Sequence, residues 1–183
     1  LDMPRFMDST QPLENGDDVD AYETRLDAIP AALKGELERM QAARGMGLIP
    51  PDFLLARTIT AMEQSIKDAV PTYLAPTEKA PADWREAMRK RVEDVTASLI
   101  VPALQEQLAE LKLQAGQATS DAGMLKRPHG EEWYAWALRA STTTTLSPDE
   151  VHRQGLAELE ELHGREDAIM HEFGHTIGGA GAL

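Results

Sequence analysis

Apolar residues recur at spacings of three and four along most of this sequence, which is the period of one face of an α-helix. Val19, Tyr22, Leu26 and Ile29 form the first such row, and Asp17 or Asp18 is placed to cap the helix that carries it. Pro30 kinks that helix or starts another, and Leu33, Leu37 and Met40 extend the stripe to a stop at Gly45-Met46-Gly47. Residues 1–16 ahead of it read as an irregular lead-in. Pro50-Pro51-Asp52 opens the next helix, with Leu55, Ile59, Met62 and Ile66 on its buried face. Pro71, Pro76 and Pro81 then punctuate a connection of about ten residues.

The longest periodic stretch begins at Ala82-Asp83-Trp84. Met88, Val92, Val95 and Leu99 precede Pro102; Leu104, Leu108 and Leu111 follow it, which predicts two helices or one kinked helix ending near Gly116. Residues 117–130 read as a loop. A short helix over 131–140 carries Trp133, Tyr134 and Trp136, read as core packing. The Thr run 142–145 reads as loop. Ser147-Pro148-Asp149-Glu150 combines an N-cap Ser, a Pro at the first helical position and a Glu at the third, the signature of a capping box. The helix it opens runs through Leu156, Leu159, Leu162 and Ile169 to about Phe173. The predicted fold is all-α: an irregular bundle of about six or seven helices with no significant sheet.

Composition narrows the function classes. The chain has 183 residues and no Cys, with 18 Lys+Arg against 31 Asp+Glu for a net charge of −13. That balance argues against nucleic acid and against anionic lipid as partners. No run approaches the roughly 18 apolar residues that span a bilayer, so no membrane insertion is expected. A soluble protein is expected, cytoplasmic or exported.

One motif could carry chemistry. His171-Glu172-Phe173-Gly174-His175 matches HExxH. On a helix the two His share one face and can bind one Zn²⁺, while the Glu between them can act as general base toward a metal-bound water. Without Cys, any zinc must be held by His and carboxylate, the ligand set of catalytic sites. The candidate residues are therefore His171 and His175 as metal ligands and Glu172 as the catalytic base. The third ligand is unidentified. Gly181 stands where an extended motif would place a third His, and His152, His163 and Asp167 are the upstream candidates. Gly174 can also end the helix and leave His175 outside it.

Several stretches together resemble the bacterial family catalogued as domain of unknown function 885. Tyr22-Glu23-Thr24-Arg25-Leu26-Asp27-Ala28-Ile29-Pro30 is similar to its Y-x-x-R-L-x-A-(L/I)-P helix. Gly47-Leu48-Ile49-Pro50-Pro51 is a second match. The most specific is Gly130 to Tyr134, then Thr143-Thr144-Thr145-Leu146-Ser147-Pro148-Asp149-Glu150-Val151-His152 and Gly155-Leu156. The resemblance implies a longer, mostly helical zinc metallopeptidase of the gluzincin kind, with its own HE-x-x-PGHH motif downstream. Residues 1–183 would then be one helical domain that is itself a fragment, supplying scaffold helices and part of one cleft wall. Its partners would be the remainder of the longer chain and a peptide substrate, and the isolated segment would be inactive. In that register residues 171–175 are ordinary helix-end positions. The alternative function is a non-catalytic helical scaffold or interaction domain in which HEFGH is accidental.

Overall fold

The computed structural model describes residues 3–174. Among them are seven α-helices and no strand: α1 Met3–Ser9, α2 Gly16–Gly45, α3 Asp52–Leu74, α4 Ala82–Val95, α5 Val101–Ala115, α6 Gly130–Thr142 and α7 Pro148–Glu172. The all-α class expected from the periodicity is what is observed. The chain divides into two compact units, Leu1–Gly123 and Met124–Leu183, and each is described by itself.

The first unit owns the core. Val19, Tyr22, Leu26 and Ile29 are all buried, as their spacing predicted, and pack with Tyr73, Met88, Val92, Val95 and Ile100. The Tyr22 ring is fully buried, which contributes about 1.5–3 kcal/mol for a large apolar side chain. Its hydroxyl donates to the Tyr73 carbonyl at 3.0 Å, so the polar end of the ring is satisfied where α2 crosses the end of α3. Burial pushes the Tyr22 phenol well above its ordinary range, so it donates at all physiological pH.

Several local expectations change. The lead-in contains α1, whose Met7 enters the core and whose Asp8 is held by the Lys79 ammonium at 2.6 Å. The cap of α2 is Asn15 and not Asp17 or Asp18: its side chain accepts from the Asp18 amide, while Asp18 accepts from the Glu14 amide. Neither Pro30 nor Pro71 ends its helix. An interior Pro costs one backbone bond, about 3 kcal/mol, and the apolar face buried on these long helices offsets it. α3 reaches Leu74 and continues as a 3₁₀ turn over Ala75–Lys79. Ile59, Met62 and Ile66 are only half-buried on it.

The Pro102 region is one continuous helical run with a π turn at Thr96–Ile100 between α4 and α5. The Val101 amide bonds back five residues to the Thr96 carbonyl, and the widened turn accommodates the proline that lacks an N–H. This turn also corrects the expected core. Strict α spacing from Val95 buries Leu99, but Leu99 is 51% exposed and Ile100 is buried in its place. The buried Thr96 hydroxyl has no hydrogen-bond partner among the described residues.

A polar seam joins α5 to α2. Gln107, Glu110 and Gln114 are all buried. Gln107 Nε2 donates to the Leu33 carbonyl at 2.8 Å, and Gln114 Nε2 donates to the Met40 carbonyl and to Glu110 Oε1. Arg44 grips Glu110 through Nε and Nη2, at 2.7 and 3.1 Å. The guanidinium holds the Glu110 carboxyl below the usual carboxylate range.

In the second unit α6 and α7 build almost no core. Gly130 is the buried residue of α6, and no residue of α7 is buried. Trp133, Tyr134 and Trp136, expected inside, are exposed, with Trp133 and Trp136 meeting edge to face at 6.2 Å between ring centroids.

Candidate metal site and the signature stretch

The HEFGH motif lies at the end of α7. The helix stops at Glu172, Phe173 is its C-cap, and Gly174 has φ +87°. A left-handed glycine there is the ordinary helix terminator. His171 and Glu172 are thus the last two helical residues, both exposed, while His175 lies outside the described residues. The His171 Nδ1–H donates to the Asp167 carbonyl at 2.8 Å, leaving Nε2 as the ring's acceptor. That is the tautomer in which a His can ligate through Nε2.

Position on the helix matters more. At about 100° per residue, His171 sits roughly 160° around α7 from both Ile169 and Phe173. It therefore lies across the helix from Leu162, Ile169 and Phe173, about 120° from Leu159 and about 60° from Leu156. The upstream candidate His163 lies on the stripe side instead, some 80° from His171 and eight residues away. Among the described residues no three His, Asp or Glu side chains converge as a metal ligand set. The described residues by themselves do not fit a zinc centre.

The signature stretch has a structural account. A Cβ at Gly130 would lie 2.1 Å from the Met124 carbonyl oxygen, so this position admits no side chain. His129 before it takes φ 55° to turn the loop into α6. At the other end Thr143, φ 56°, bonds back to the Arg139 carbonyl at 2.8 Å and stops the helix. The Thr142 and Thr144 hydroxyls pair at 3.0 Å. Ser147 and Glu150 then form both halves of the capping box predicted from sequence. The Ser147 hydroxyl and amide hold the Glu150 carboxyl below its ordinary range.

A groove of about 750 Å³ in the first unit runs between α2 and α3 over Leu104 and Gln107 of α5. Its charged lining residues are Glu36 and Asp68, and it contains none of the candidate site residues His171, Glu172 and His175. Ile29, Leu33, Met62 and Leu104 of the predicted apolar stripes line it, so the sequence marks these positions as apolar and does not distinguish a groove wall from packed core.

The family model described as "Bacterial protein of unknown function (DUF885)" matches residues 1–182. Among solved structures, a crystal structure described as "the putative lipoprotein from Colwellia psychrerythraea" is similar with a TM-score of 0.83 at 22% identity. The match covers 99% of this chain and 32% of that one, so the chain spans about a third of its structural neighbour. A comparison with curated proteins gives no match.

Proposed function

This chain belongs to the bacterial DUF885 family, and on that footing we propose that it is a helical segment of a zinc-dependent metallopeptidase. Its part is scaffold and one wall of the cleft in a longer protein that hydrolyses peptide bonds. The observation that carries this role is the use made of the signature residues. Gly130, Thr143, Ser147 and Glu150 shape and terminate helices and bring no reactive groups together. The peptidase chemistry itself rests on the family resemblance and belongs to the longer protein. The neighbour's description as a lipoprotein supports an exported setting. No helix among the described residues is long and apolar enough to cross a membrane.

If HEFGH binds metal locally, His171 and His175 are the ligands and Glu172 the base. The helix stop at Glu172 and the left-handed Gly174 favour the second reading, in which this motif is a helix end and the segment a non-catalytic scaffold.

Metal analysis separates the readings. After zinc loading and desalting, the 183-residue chain should retain less than one Zn²⁺ per molecule, and His171→Ala with His175→Ala should change nothing. The longer polypeptide should bind zinc and cleave peptides, and a chelator should abolish cleavage. One zinc held by the short chain and lost in the double variant would establish the local site. A longer polypeptide that cleaves no peptide with zinc present would sink the peptidase reading and leave the scaffold.

A further inference from the structure

α2 and α3 each pack on α5, and the groove of about 750 Å³ opens between them over Leu104 and Gln107. The α3 wall explains why it stays open. Ala61, Ser65, Asp68 and Thr72 follow at spacings of four, three and four, so one face of the helix lines the groove with short side chains. α2 adds the short Ala32. Ile29 and Tyr73 at the groove are buried in the core, while Leu33, Met62 and Leu104 are half-buried and keep apolar surface available. A largely apolar opening of this size between helices, with a few polar groups on it, has the make-up of a small-molecule site.

The charge on the groove has one sign. Both charged lining residues are carboxylates, Glu36 from α2 and Asp68 from α3. Each accepts from a neutral side-chain amide: Gln107 Nε2 donates to Glu36 Oε2 at 3.3 Å, and Gln64 Nε2 donates to Asp68 Oδ2 at 2.7 Å. Among the described residues no Lys, Arg or His pairs with either carboxylate. The packed seams beside the groove differ. Glu63 of α3 has Lys112 of α5, and Glu110 of α5 has Arg44 of α2. Two like charges at one opening with no internal cation favour a positive ligand and repel a negative one.

We propose that this groove binds a small organic cation, an amine or quaternary ammonium on an apolar body. The body lies on Leu33, Met62 and Leu104, and the positive charge is held by Glu36 and Asp68. An opening of this volume takes such a molecule whole, which favours it over a segment of a protein partner. The binding needs no metal and is measured with a chelator present, so it stands or falls apart from the peptidase reading.

Three probes with one body and different charge provide the test: phenylbutylamine, phenylbutanol and phenylbutyrate, titrated calorimetrically into the 183-residue chain at neutral pH. The amine should bind about tenfold more tightly than the carboxylate or better, with the alcohol between them. Its binding should shift the Met3 and Met62 methyl resonances, because both side chains line the groove. Glu36→Gln with Asp68→Asn should bring the amine down to the affinity of the alcohol and leave the alcohol unchanged. Asp83→Asn with Glu86→Gln removes the same charge from exposed positions of α4 outside the groove and should change neither. Ser65→Leu, at an exposed position on the α3 wall, should fill the groove and weaken all three, with its circular dichroism melt showing that the chain still folds. Equal affinity for amine and carboxylate would overturn the proposal, as would no binding of any probe. An equal loss in the α4 control would reduce the effect to net charge and overturn it too. So would amine binding that survives Ser65→Leu in a folded chain, which places the site elsewhere. A Lys-bearing apolar peptide that binds where the small amines fail would give the groove to a protein partner and overturn the small-molecule assignment.

Discussion

Gly130 is where a single atom decides the most. The Met124 carbonyl oxygen occupies the place a Cβ would take, and it is backbone, held by the turn that also bonds the Arg127 amide to it at 2.9 Å. Gly130→Ala should therefore destabilise the entry to α6 by about 3 kcal/mol or more, the upper range for overpacking against groups that cannot move. Loss of the near-ultraviolet signal of the Trp133–Trp136 pair at a lower temperature than in the parent chain would measure it. This requirement is invisible in sequence, because it depends on where the loop over 124–129 places one carbonyl. The Ser147 box, by contrast, is local: donor, acceptor and proline all lie within four residues, so it is legible without a structure. His171 stands between these cases. Its spacing to His175 is legible, but whether the helix survives to carry that spacing turns on Gly174, and α7 ends before it.

At the scale of elements, the α2–α5 seam makes a pH prediction. The folded Glu110 carboxyl binds its proton more weakly than an unfolded Glu, because Arg44 donates two hydrogen bonds to the charged form. Its contribution is complete above the unfolded value of about 4.3 and is lost as pH falls from there through the lower folded value. Glu110→Gln should cost about 2 kcal/mol near neutrality, as expected for hydrogen bonds to a charged group. Stability measured by urea denaturation should then fall less steeply below about pH 4.5 in the variant than in the parent chain. An identical acid slope would remove Glu110 as the cause. The seam also explains a failure of pattern reading. Gln107, Glu110 and Gln114 recur at helical spacing but look like a solvated face, and the arginine that makes Glu110 a buried residue lies 66 positions away. Apolar stripes report burial directly, whereas polar burial is legible only with its partners in view. The same limit applies in reverse to α6, whose three aromatics read as core and prove exposed.

For the whole molecule, helical class was readable because it needs only periodicity, and the two units show where periodicity stops being enough. The first buries its stripes against one another; the second presents stripes of equal quality with nothing described on them. A stripe announces that a helix needs cover and is silent about what supplies it. The π turn at Thr96–Ile100 adds a consequence for how this chain tolerates insertion and deletion. A π turn holds one residue more than an α turn in the same span. Deleting either Ser98 or Leu99, both exposed, should convert it to ordinary helix while α4 and α5 keep their facing sides. The damage is then confined to Pro102, whose ring meets the preceding turn at about 3 kcal/mol. Deleting one residue inside α5, between Gln107 and Glu110, instead turns everything after it by about 100° and carries Glu110 and Gln114 away from Arg44 and Met40. Circular dichroism melts should find the first variant folded with a lowered midpoint and the second without a cooperative transition. The joint is thus a place where the polypeptide can change length by one and keep its partners.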